Sequence, residues 1–113
     1  RICGSEIDLD VALSEGRLSA LGLDVRACAL GQASASVLAR SGLGATREEI
    51  EAARDALKAM LKEAAPAPQG RFAGLGVLEG ARDYRQRHGS ILLAFEAAAD
   101  AMAEAEAKAQ TAD

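Results

Sequence analysis

From Glu6 to Leu13 apolar and polar residues alternate without a break, Ile7, Leu9, Val11 and Leu13 on one side of an extended chain and Glu6, Asp8 and Asp10 on the other. A period of two is the signature of a strand that buries one face. Ser14-Glu15-Gly16 follows, its glycine suited to the positive φ of a tight turn. Leu18, Leu21, Leu23 and Val25 then mark a second extended segment, and the two are predicted to pair as a β-hairpin. Leu18 and Leu21 fall on opposite faces of an ideal strand, which predicts a bulge or a break near Ala20.

Beyond Cys28 the period changes. Ala29 to Ser41 is dense in small residues and ends at Gly42 and Gly44, the pattern of a closely packed helix with a glycine stop. Thr46 followed by Glu49 forms a capping box. Ile50, Ala53, Leu57, Met60 or Leu61, and Ala64 recur at helical spacing, with Glu51, Arg54, Asp55, Lys58 and Lys62 outside them. Pro66 and Pro68 end this second helix and open a loop to about Phe72, after which Leu75 to Gln86 is expected to hold one or two short, glycine-interrupted helices. The last helix is expected from about Ser90, with Ile91, Leu92, Phe95, Ala99 and Met102 inward, and residues 105–113 form an Ala/Glu/Lys tail expected to fray. The order predicts an α+β fold: a small antiparallel β-sheet, the hairpin with room for a further strand, packed on one face by about four helices.

Length and composition narrow the function classes. A chain of 113 residues, half of them apolar, suits a single domain over 1–113. A net charge of -4 leaves no excess of Lys and Arg to neutralise phosphates, so nucleic-acid binding is disfavoured. No apolar run approaches the ~20 residues that span a bilayer; Ile91 to Phe95 is soon interrupted by Glu96 and Asp100. Two cysteines are too few for a secreted disulfide framework, which places the chain in a reducing cytoplasm. Because the chain opens at Arg1 without an initiator Met, its N-terminus is expected to be truncated.

Cys3 precedes the first strand and Cys28 follows the second, so a hairpin brings the two thiols toward one edge of the sheet. Cys28 also stands where the first helix begins, and the positive end of a helix dipole favours thiolate, the form that soft metals and sulfur chemistry require. The alternative is that either cysteine is a small buried hydrophobe. Gly74-Leu75-Gly76-Val77-Leu78-Glu79-Gly80 has the wrong glycine spacing for a dinucleotide loop and no preceding strand.

Cys3-Gly4-Ser5 before an alternating strand, Glu15-Gly16-Arg17-Leu18, and Ala27-Cys28-Ala29-Leu30-Gly31-Gln32-Ala33-Ser34-Ala35-Ser36 resemble the N-terminal half of the NifU/IscU/SufU-type scaffolds of iron–sulfur cluster assembly. Arg87-His88-Gly89-Ser90-Ile91-Leu92-Leu93-Ala94-Phe95 is similar to the segment where that family's last helix starts, so the resemblance covers nearly the whole chain. The long separation of Cys28 from that segment suits the SufU-like branch. The resemblance implies a non-enzymatic scaffold or carrier that binds an iron–sulfur cluster or a zinc ion through three cysteines and an aspartate, with a cysteine desulfurase as partner.

Carried over residue by residue, two of the cysteines are Cys3 and Cys28; Ser5 stands where the aspartate usually follows Cys-Gly, and Ser90 where the third cysteine starts the last helix. That third thiol is the family's usual sulfur acceptor, and serine is a far weaker nucleophile without an activating base. His88 is the third-ligand candidate, since imidazole suits zinc and replaces thiolate on some clusters; its other reading is a cap or surface residue, as that of Ser90 is a helix N-cap. A cluster shared across a homodimer is a further arrangement open to two thiolates. Arg82, Arg85 and Arg87 form the one notable basic cluster, either a docking surface or a solvated helix face. Two other functions remain open: a cluster-free interaction or regulatory protein of a desulfurase, and a zinc-dependent sulfurtransferase.

Overall fold

The structure, a computed structural model, describes residues 5–111. Strands β1 (Glu6–Ser14) and β2 (Arg17–Arg26) form the antiparallel hairpin, followed by helices α1 (Ala29–Ser41), α2 (Arg47–Glu63) and α3 (His88–Thr111). Between α2 and α3 the chain runs in tight 3₁₀ turns over Gly70–Asp83 and Arg85–Arg87. This is the expected α+β architecture of a two-stranded antiparallel sheet against helices. The further strand is reduced to a single bridge between Arg17 and Thr46, flanked by 2.8 Å bonds from Leu18 N to Ala45 O and from Gly44 N to Leu18 O.

The hairpin turn places Glu15 at φ 54° and Gly16 at φ 78°, the pair of positive values that matches the twist of the flanking strands. Ala12 pairs with Ala20 and Leu13 with Leu18, so Ser19 is the extra residue of a bulge, and its hydroxyl donates to Ala12 O at 3.0 Å. The bulge resets the phase of β2: Leu18 and Leu21 now face the same way, beside Ile7, Leu9, Val11 and Leu13. The opposite face is exposed and acidic, with Asp8 directly across from Asp24 and Asp10 next along the strand.

One hydrophobic cluster binds the molecule. Leu38 of α1, Ile50, Leu57 and Met60 of α2, Leu75 of the 3₁₀ segment, and Ile91, Phe95 and Met102 of α3 are fully buried. Phe72 meets Phe95 edge to face at 5.3 Å. Phe72, Leu75, Leu78 and Ala81 recur every third residue, the repeat of a 3₁₀ helix, and all four point inward. An arginine at each end of that segment closes another helix: Arg71 donates to Ser41 O and Leu43 O after α1, and Arg82 Nε donates to Met60 O in the last turn of α2 at 2.9 Å.

The capping box is present, with Glu49 N donating to Thr46 Oγ1 and Thr46 N to Glu49 Oε1. The Thr46 backbone N–H first, then the Arg71 and Arg17 guanidinium groups, hold the Glu49 carboxyl below the usual carboxylate range. Two boundaries differ from expectation. Helix α3 starts at His88 rather than Ser90, and it stays helical through Thr111 where fraying was expected after Glu104. Arg47, bonded to Glu106 at 2.7 Å and to Glu51 at 3.0 Å, ties that last stretch to α2. Among the described residues no helix is long and apolar enough to cross a membrane.

Ala64 closes α2 in the left-handed conformation (φ 57°, ψ 28°), a region that a Cβ penalises by about 1 kcal/mol. Ala64→Gly is therefore expected to raise the melting temperature, whereas Thr46→Ala, by deleting the cap, is expected to destabilise by about 1 kcal/mol. Thermal denaturation of both variants checks the opposite signs.

Candidate functional site

The register that pairs Glu6 with Arg26 sets the residue before β1 beside the residues after β2. Ser5 thereby reaches the turn that leads through Ala27 and Cys28 into α1. Cys28 occupies the N-cap position of α1 in an extended conformation (φ -65°, ψ 171°). The first turn of α3 arrives from the other side and supplies Ser90.

Three side chains meet at this corner. Ser90 Oγ lies 3.5 Å from Cys28 Sγ and 2.7 Å from Ser5 Oγ. Ser5 is 2% exposed and Ser90 4%, whereas Cys28 is half-buried and carries a free thiol. The approach is close because Gly31, in the first turn of α1, has no side chain. A Cβ there would collide with Ser90 Oγ and Ala27 Cβ and crowd Ser90 O.

The corner favours an ionised Cys28. The Ser90 hydroxyl is the strongest influence and draws the thiol below its usual pKa. Partial burial opposes it, while the Gly31 and Leu30 N–H groups and the charge of Arg87 act in the same direction as Ser90. Both N–H groups belong to the open first turn of α1, where the positive end of the helix dipole also favours thiolate. Once the sulfur is a thiolate it accepts only, which fixes the order: Ser5 donates to Ser90 Oγ, and Ser90 donates to Cys28 Sγ.

The other sequence-derived site residues are placed as follows. Cys3 lies outside the described residues, so the expected pairing of Cys3 with Cys28 does too. His88 is 3% exposed, and its Nε2 is 3.0 Å from Arg82 O and 3.3 Å from Ala81 O. Carbonyls only accept, so Nε2 carries the proton and points into the 3₁₀ segment. Two residues apart on a helix, His88 and Ser90 face in roughly opposite directions. His88 lines a cleft of about 540 Å³ with Lys62, Ala64, Arg82 and Arg85, to which neither Cys28 nor Ser90 contributes. It is Ser90, therefore, that faces Cys28. Ser90 is not the N-cap, since α3 has already begun two residues earlier. Of the three arginines, Arg82 is occupied by Met60 O, Arg85 lines the cleft, and Arg87 acts on Cys28 through its charge. Among the described residues, no three His, Cys, Asp or Glu side chains gather to hold a metal ion.

The sequence did not reveal the direct bond between Ser5 and Ser90, because the two are 85 positions apart. One local signal was available: a glycine in the first turn of a helix, where it weakens the helix, points to a close backbone approach.

No protein-family model matches the chain, and no curated protein matches it. Solved structures do. A nitrogen-fixing NifU-like protein (N-terminal) from Brucella abortus is 48% identical, with a TM-score of 0.91 over 95% of this chain and 74% of that one. A second structure, described only as a hypothetical protein, is 25% identical, with a TM-score of 0.80 over 88% of this chain and 74% of that one.

Removing the Ser90 hydroxyl should raise the Cys28 pKa, because that hydroxyl is the leading cause of its depression. In a Cys3→Ala background, the pH midpoint of iodoacetamide alkylation is expected to move upward in Ser90→Ala, toward the ordinary value of about 8.5. An unchanged or lower midpoint contradicts the assignment.

Proposed function

The chain belongs to the NifU-like family, and from that premise we propose that it serves iron–sulfur cluster assembly as a non-enzymatic scaffold or carrier in the cytoplasm. Cys28 is the thiolate that meets the cargo, and Cys3 the second. The observation that carries this reading is the half-buried Cys28 at the open end of α1, its ionised form favoured by Ser90 and Arg87. In sequence Cys3 stands two positions before Ser5, which is itself bonded to Ser90.

The described donors do not suffice for a resident cluster: one cysteine sulfur faces two hydroxyls. We leave His88 out of the ligand set because its Nε2 is engaged by the carbonyls of Arg82 and Ala81, on the far side of α3 from Ser90. The remaining ligands then come from Cys3 and from outside the chain, either a second copy or a partner. A cysteine desulfurase is the partner that this role implies, and Arg87, whose charge acts on Cys28, is the basic residue we assign to meeting it.

The 2.7 Å bond between Ser5 and Ser90 favours a second reading, a cluster-free partner of a desulfurase that keeps the fold and the contact surface. Metal and sulfide analysis of untagged protein purified without oxygen separates the two. Iron with acid-labile sulfide, both lost in Cys28→Ser, is the expected result. Zinc alone points instead to a zinc-dependent sulfurtransferase, and an empty protein to the second reading. Metal content that survives Cys28→Ser overturns the site.

A further inference from the structure

The corner joins three segments that are remote in sequence: the residue entering β1, the first turn of α1 and the first turn of α3. Two serines bridge all three, Ser5 to Ser90 at 2.7 Å and Ser90 to Cys28 at 3.5 Å. Their separation distinguishes two kinds of junction. Two donors on one tetrahedral ion, with bonds of about 2.0–2.3 Å, stand about 3.3–3.8 Å apart. Ser5 Oγ and Ser90 Oγ are closer than that, at the usual length of an O–H···O hydrogen bond. They bind one another and do not flank an ion. Neutral hydroxyls also lack the charge with which carboxylate and thiolate donors hold a metal.

We infer that the buried Ser5–Ser90 hydrogen bond, extended to Cys28, does the cross-linking that a metal ion does in a corner with a full ligand set, so that these three segments stay joined in the metal-free chain. Ser5 and Ser90 are positioning residues in this account: they hold the β1 entry and the α3 start in place around Cys28. The inference deepens the reading of the same corner but stands on the hydroxyl geometry, and it holds whether or not cargo is carried.

Two features support it. Both serines are almost wholly inaccessible to water, so losing either hydroxyl removes a buried hydrogen bond that no water can replace in place. Gly31 brings α1 against Ser90 closely enough that an added Cβ would collide with it, so α1 is already packed against the Ser90 oxygen.

The test is thermal unfolding of the full chain before and after removal of metal with EDTA and gel filtration. The metal-free protein is expected to keep one cooperative unfolding transition, whatever a bound cluster adds to its midpoint. In metal-free protein, Ser5→Ala and Ser90→Ala are each expected to lower that midpoint by several degrees. The double variant should lose less than the sum of the two, the mark of a direct bond between them. Loss of that cooperative transition on EDTA treatment, restored by zinc alone, overturns the inference, because a metal then does the joining. Strict additivity of the two alanine variants overturns it as well, since the serines then act separately. Failure of the cluster reading appears elsewhere, in iron and sulfide content, so the two outcomes are read independently.

Discussion

The closeness of α1 and α3 at their first turns governs the functional end of this molecule. Gly31 has no side chain at the point where a Cβ would meet Ser90, and without that gap Ser90 would stand away from Cys28. The two helices converge at their N-termini, and the hairpin register adds Ser5 to the same place. Each element is fixed by ordinary packing elsewhere: α3 by Ile91, Phe95 and Met102, α1 by Val37 and Leu38, β2 by Leu18. The corner is where three independently anchored segments are forced into contact, and its hydrogen bonds inherit their accuracy from those anchors.

Much of this architecture was legible in the chain. Strict alternation from Glu6 to Leu13 gave one strand, and the phase slip between Leu18 and Leu21 located the bulge to within one residue, since an extra residue at Ser19 is what restores a common face. Thr46 and Glu49 announced the start of α2 because a capping box is a local interaction. The sequence predicts a loop to about Phe72 and one or two short, glycine-interrupted helices over Leu75 to Gln86, whereas the inward residues from Phe72 to Ala81 repeat every three positions rather than every 3.6. That repeat is present in the sequence, interleaved with Gly74, Gly76 and Gly80, which by themselves mark breaks in an α-helix.

The site was less legible than the fold because its decisive contacts are not local. The placement of Cys28 at a helix start followed from sequence order, but the direction of His88 did not. Starting α3 at His88 instead of Ser90 turns His88 toward Arg82 O and leaves Ser90 toward Cys28. Within the first turn of a helix each position points a different way, and periodicity does not resolve boundaries that finely. The same limit applied to the end of α3, where the Ala/Glu/Lys composition suggested fraying while the ion pair between Arg47 and Glu106 depends on a residue far upstream.

The outer face of the hairpin has its own significance. Asp8 and Asp24 sit directly opposite one another with Asp10 alongside, an arrangement that lowers hairpin stability through repulsion. A ribbon of two strands is also a natural template for other extended chains, and such templates nucleate aggregates. Carboxylates arrayed across that ribbon make a second identical ribbon an unfavourable neighbour, so the chain gives up some hairpin stability to stay dispersed at high concentration, most effectively at low ionic strength, where the repulsion is least screened.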